Sequence, residues 1–223
     1  MSRRVAAEGL GTALLVAIVV GSGVMAQQLC AGNLAVALLA NTLATGAGLA
    51  VLILILGPVS GAHFNPVVTG VQVATKRLPA GEGALFVAAQ LCGGVVGTML
   101  AHAMFALPLL QTSARARSGG PQWLSEAVAT FGLLLVISGL SRHRPGAAPL
   151  AVGGYITAAY WFTASTSFAN PAVTVARAFS DTFAGISPAD VPGFIAAQAL
   201  GGALGARVGR WLFVPPVPEA SNG

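Results

Sequence analysis

Two Asn-Pro dipeptides, Asn65-Pro66 and Asn170-Pro171, open two short apolar stretches, 65–75 and 170–180, and carry most of the chemistry this chain offers. An Asn-Pro start supplies a capping oxygen and a residue already set to helical φ. Asn65 and Asn170 therefore cap two short helices whose first positions are Pro66 and Pro171. Each helix start presents roughly half a positive charge, and an Asn that caps through its oxygen leaves its NH2 free to donate to a passing oxygen. If the two starts meet, the meeting point is donor-rich and positive, which suits neutral hydroxylated solutes and repels cations. A single Asn-Pro is an ordinary turn dipeptide. Two copies in matching context, Asn65-Pro66-Val67-Val68-Thr69 and Asn170-Pro171-Ala172-Val173-Thr174, argue against a pair of turns.

The segments leading into these dipeptides, Ser60-Gly61-Ala62-His63-Phe64 and Ser165-Thr166-Ser167-Phe168-Ala169, are too short for secondary structure of their own. Their unpaired carbonyls are expected to form a ladder of acceptors along an apolar wall. Glu8 and Glu126 stand inside apolar runs, where an ionisable group is costly and usually functional. We read them as acceptors that tie the loop backbone in place, with proton or cation coordination as the alternative. Gln90 and Gln198 read as interhelical hydrogen-bond partners rather than solute ligands. His63 is either a packed polar residue or part of the inner mouth of a pore. Three His and two Cys, Cys30 and Cys92, supply neither a metal cluster nor a nucleophile with its base, so no catalytic residue, metal or cofactor is called for.

Residues of this kind must be positioned by a membrane. Of 223 residues 55% are hydrophobic and 8% charged, where a soluble domain carries roughly 25% charged. With a mean hydropathy of +0.80, a soluble enzyme is excluded for want of polar side chains to cover its surface. The net charge of +5 and pI near 10.3 do not indicate a nucleic-acid partner, because the basic residues fall singly or in pairs at the ends of apolar segments. Crossing the hydrocarbon takes roughly 20 helical residues, and six stretches qualify: about 5–26, 34–57, 83–106, 124–140, 149–166 and 191–213. Glu8 interrupts what would be the apolar core of a cleaved signal, so the first stretch reads as a span. Segments 65–75 and 170–180 are too short to cross alone and read as re-entrant half-helices.

The two halves repeat. Phe86 to Gly97 aligns with Phe194 to Gly205 without a gap, and Glu8 and Glu126 head the halves. Three spans per half make this an inverted repeat, 1–115 and 116–223, within a single channel domain, joined through the polar stretch 107–122. With both termini inside, Arg3, Arg4, Lys76, Arg77, Arg142, Arg144, Arg207 and Arg210 are cytoplasmic and only Arg115, Arg117 and Arg177 face outward. Gly93-x-x-x-Gly97 and Gly201-x-x-x-Gly205 read as close helix packing, and Tyr160-Trp161 as an interfacial anchor.

These residues make the chain resemble the aquaporin and aquaglyceroporin family. The likeness rests on Ala7-Glu8-Gly9-Leu10-Gly11-Thr12, Ser60-Gly61-Ala62-His63-Phe64-Asn65-Pro66 and Asn170-Pro171-Ala172, and it covers essentially the whole chain. It implies an all-α, right-handed bundle of six tilted spans and two half-helices, with a pore in every protomer of a homotetramer. Val67 replaces the Ala of the first signature and places two extra methyl groups near the midplane. Val173 replaces the Arg that relatives carry directly after the second signature, at the narrowest charged point of the pore. By the family's spacing the other three positions of that constriction fall on Thr45, Ala158 and Ser167. Water-selective relatives place an aromatic residue and a His at the first two, and glycerol-selective ones an aromatic residue and a Gly. Four small uncharged residues imply a wider opening than either.

Arg177, one turn beyond Val173 on the same face, is assigned either to the outer vestibule or to a headgroup or Asp181 contact. Bacterial aquaporin-like channels associated with arsenic resistance are similar in pairing Asn-Pro-Val with a Val in place of the Arg. The expectation is thus passive diffusion of arsenite, as trihydroxy arsenic, with related metalloids or polyols, across a bacterial inner membrane. The alternatives are a general glycerol and water pore or a proton-coupled transporter built on Glu8 and Glu126. Without the filter Arg, a proton leak larger than in relatives is expected unless the half-helix dipoles suffice.

Overall fold

A computed structural model describes residues 1–213. Its long helices are α1 (Ser2–Leu29), α2 (Leu34–Ser60), α4 (Ala80–Met104), α5 (Gly120–His143), α6 (Ala148–Phe162) and α8 (Val191–Leu212), and two short ones, α3 (Pro66–Ala74) and α7 (Pro171–Arg177), lie between them. There is no strand among the described residues. Four helices, α1, α2, α4 and α5, are long and apolar enough to cross a membrane by length and composition alone. Large apolar side chains such as Leu124, Leu150 and Leu200 stand exposed on the outside of the bundle, as a lipid-facing surface requires.

The two halves pack alike: α1 lies on α4 and α2, α5 lies on α8 and α6, and each short helix touches the closing span of both halves. Glycine permits the two closest approaches. A Cβ at Gly93 or Gly97 would strike the backbone of Gly9 or Ala13 on α1, and one at Gly201 or Gly205 would strike Ala127 or Phe131 on α5. The small residues of the repeat thus serve backbone-to-backbone packing. The last ten residues expected in the second repeat lie outside the described residues.

Some boundaries differ from expectation for local reasons. Helix α6 stops at Phe162, because the chain turns extended at Thr163 (φ −113) to begin the approach loop. Helix α7 covers 171–177 rather than 170–180, since Ala178, Phe179 and Ser180 instead donate to carbonyls three residues back, the tighter turn with which helices often end. Helix α3 runs 66–74. Helix α5 starts at Gly120 with Pro121 in its first turn, so the connection between the halves is 105–119.

Candidate functional site

The short helices begin where the Asn-Pro dipeptides require. Asn65 Oδ1 accepts from the Val67 amide (2.9 Å), and Asn170 Oδ1 accepts from Ala172 (2.9 Å) and Val173 (3.3 Å). The two starts face each other directly. Asn65 Nδ2 donates to the Ala169 carbonyl and Asn170 Nδ2 to the Phe64 carbonyl, both at 2.7 Å. Each NH2 therefore spends one hydrogen locking the opposite loop and keeps one for a solute, where the sequence reading left both free.

The approach loops are held in a conformation that side chains ordinarily avoid. Ala62 and Phe64 on one side, and Thr166, Ser167 and Ala169 on the other, all have φ between 47 and 60°, costing of order 1–3 kcal/mol each. The buried acids oppose that cost. Glu8 accepts from Ser60 Oγ (2.6 Å), the amides of His63 (3.0 Å) and Phe64 (2.7 Å), and Gln90 Nε2 (2.8 Å). Glu126 repeats the pattern with Ser165 Oγ (2.6 Å), the amides of Phe168 (2.9 Å) and Ala169 (2.8 Å), and Gln198 Nε2 (2.6 Å). Four donors occupy the lone-pair sites of each carboxylate. In consequence the carbonyls of Gly61 to His63 and of Thr166 to Phe168 accept no hydrogen bond from the described residues, leaving an acceptor series on each side of the Asn pair.

These residues line one cavity of about 560 Å³. Arg4, Pro58, Ser141 and Ala148 mark one end, and Thr45, Tyr160, Ser167, Val173 and Arg177 the other. The wall between is apolar and helical: Leu49 and Ile53 of α2, Leu133 and Ile137 of α5, Val152 and Ile156 of α6. His63 lies toward the Arg4 end of this wall, with Nδ1 3.0 Å from Thr69 Oγ1 and its ring edge-on to Phe86. Arg4 pairs with Glu82 at 2.7 Å beside that mouth.

Thr45, Ser167 and Val173 line the far end, but Ala158 does not. It lies on the exposed side of α6, and Tyr160 takes its place, 3% exposed with its hydroxyl 3.5 Å from Thr45 Oγ1. The cavity face of α6 is Val152, Ile156 and Tyr160, four residues apart. A position two residues from Tyr160 is turned about 200° away. Tyr160 is accordingly no interfacial anchor.

Val67 keeps its place in the first turn of α3. It is absent from the cavity wall and packs against α8, where only a glycine at 202 leaves room for its methyl groups. Arg177 contacts neither headgroup nor Asp181. It is 2% exposed, its Nε donates to the Ala184 carbonyl, and its guanidinium carbon lies 3.4 Å from the Phe168 ring centroid. Asp181 instead accepts from the Ala114 amide at 3.0 Å.

Arg117, which sequence reasoning placed outside without a role, clamps this end. Its Nε donates to Gly185 O (2.8 Å), its Nη1 to Ser165 O (3.1 Å), and its amide to Asp190 (2.7 Å), while its guanidinium carbon sits 4.9 Å from Phe168. Burial, with Arg177 and Arg115 nearby, pushes its pKa down to about 9. The signal that could have found it is faint: an Arg just before a helix start, with an acid at the head of the last span.

Comparison with known proteins bears on the family and the fold. Residues 1–167 match the major intrinsic protein family. The chain is 56% identical over 219 residues to the aquaglyceroporin AqpS of Rhizobium meliloti, covering 98% of this chain and 93% of that one. It is 30% identical to aquaporin Z of Bradyrhizobium diazoefficiens, covering 96% and 95% respectively. The aquaglyceroporin of Plasmodium falciparum has the same fold, with a TM-score of 0.70 at 21% identity over 92% of this chain and 94% of that one.

Proposed function

Because the chain belongs to the major intrinsic protein family, whose members are channels rather than enzymes, we propose that this one passes small uncharged hydroxylated solutes, trihydroxy arsenic and glycerol among them, by passive diffusion. The observation that carries the reading is Val173 in the cavity wall directly after Asn170-Pro171-Ala172, with Thr45 and Ser167 beside it. A Val there leaves open the width that a long cationic side chain would fill. Trihydroxy arsenic and glycerol both present three hydroxyls. The free hydrogens of Asn65 and Asn170 can donate to such oxygens, and the loop carbonyls can accept their protons. The apolar stripes opposite favour the remainder of the solute. A proton-coupled mechanism is disfavoured, because Glu8 and Glu126 have their acceptor sites filled by loop donors.

The same reading puts the protein in a bacterial inner membrane with both termini cytoplasmic. The balance of basic residues and the bacterial relatives support this. It also implies a homotetramer, for which exposed apolar residues along α2, such as Leu39, Leu43, Val51 and Leu54, offer contact surface. Light-scattering flux in proteoliposomes tests the proposal, comparing arsenite, glycerol and water for the wild type and Val173→Arg. Fast arsenite and glycerol flux, cut about tenfold or more by the Arg (equal to about 1.4 kcal/mol of barrier), supports it. Water flux alone in the wild type contradicts it.

A further inference from the structure

With Val173 in place of the family's Arg, the pore lacks a cation at the usual point, and the geometry shows another one close by. Arg177 lies one turn along α7 from Val173, on the same face, and lines the same cavity as Tyr160 and Ser167. It is held rigidly, by Nε on the Ala184 carbonyl and by stacking 3.4 Å from the Phe168 centroid. No carboxylate pairs with it among the described residues. Two buried polar atoms in this part of the wall, Arg177 Nη1 and Ser167 Oγ, have no hydrogen-bond partner among the described residues. Both atoms are closed off from water, so Arg177 acts on the conduction path through its charge.

We propose that Arg177 is the working cation of the far constriction. Phe168 and Ala184 position it, and its charge repels protons and other cations. Arg117, 4.9 Å from the same ring, adds to the positive potential. The proposal rests on the channel reading above and deepens it. Setting the charge one turn beyond Val173 separates two tasks that relatives give to one residue: the width stays open at Val173 while the charge barrier stands at Arg177. The proton leak expected from the missing Arg should then be small.

The test uses full-length protein in proteoliposomes, with proton flux read by an internal pH-sensitive dye under a potassium diffusion potential and glycerol efflux read by light scattering. A unit charge within a few ångströms of the path at an effective dielectric near 20 changes a cation's barrier by well over tenfold in rate. Wild type and Arg177→Lys are expected to show low proton flux. Arg177→Gln is expected to raise it at least about tenfold, with glycerol efflux within about threefold of wild type. An Arg177→Gln variant that conducts glycerol yet keeps wild-type proton flux overturns the proposal.

If Arg177→Gln fails to assemble, Phe168→Leu keeps the charge but frees the guanidinium, and is expected to raise proton flux about threefold or more. Wild-type proton flux in that variant overturns the positioning. A wild type that passes no glycerol overturns the channel reading itself, which separates the two failures.

Discussion

Replacing Glu126 by Gln keeps the shape of the side chain but turns one acceptor atom into a donor, and the surroundings allow the loss to be worked out. Ser165 Oγ and Phe168 N converge on Oε1, and Ala169 N and Gln198 Nε2 on Oε2. If the new NH2 faces Gln198, that residue can turn its amide, because its own Oε1 has no partner among the described residues. The Ala169 amide is then left facing a donor. If the NH2 faces the other way, the Phe168 amide is stranded instead. One buried, unserved N–H costs about 1–3 kcal/mol, and the surviving bonds weaken by about 1 kcal/mol each when their acceptor loses its charge. A total of about 3–5 kcal/mol corresponds to a fall of about 6–20 °C in melting midpoint for a chain of this size. The strained loop at Ser167 and Ala169 would relax first, and glycerol flux should fall several-fold with it. Thermal unfolding in detergent, followed by tryptophan fluorescence alongside proteoliposome flux, reads both. A midpoint within about 2 °C of wild type would refute the anchoring role of this acid.

Three further predictions follow from the packing. Gly93→Ala drives a Cβ into the Gly9 backbone, so it should cost about 1–3 kcal/mol, visible as a lowered melting midpoint and poorer monodispersity on size exclusion. Tyr160→Ala should broaden the solute range, admitting polyols larger than glycerol, whereas Ala158→Phe should leave light-scattering rates near wild type; the reverse result would restore Ala158 to the constriction. Arg117→Ala strands the carbonyls of Gly185 and Ser165 and should destabilise the protein by about 2–4 kcal/mol, which urea unfolding in detergent would measure.

The parts of this molecule most legible in the sequence are those where chemistry and periodicity coincide. Asn65 and Asn170 could be read as caps because Asn-Pro has few other uses at the head of an apolar segment, and their helices begin at Pro66 and Pro171. Glu8 and Glu126 stood out because a carboxylate in an apolar run needs donors, and each receives four. The glycine positions were readable because a small residue every fourth position suits a helix contact.

What escaped was orientation about a helix axis. Ala158 and Tyr160 differ by two residues, which in a helix is the difference between facing outward and facing the pore. Counting back from Asn170 across a loop does not reveal that register. What receives the methyl groups of Val67 was hidden by distance: the glycine on α8 that makes room for them, Gly202, is more than a hundred residues away. Arg177 stayed open between the vestibule and an Asp181 or headgroup contact because its partners are a ring and a backbone carbonyl, neither of which has a charge signature. Arg117 sits in the connection between the halves, where no periodicity marks which side chains turn inward.

Passive conduction of a neutral solute is decided by glycerol efflux from proteoliposomes, read by light scattering with and without an imposed pH gradient and membrane potential. A passive pore gives a rate proportional to the glycerol gradient and unchanged by either. Accumulation of glycerol against its gradient when a proton gradient is imposed, or a rate that vanishes when that gradient is collapsed, would contradict it.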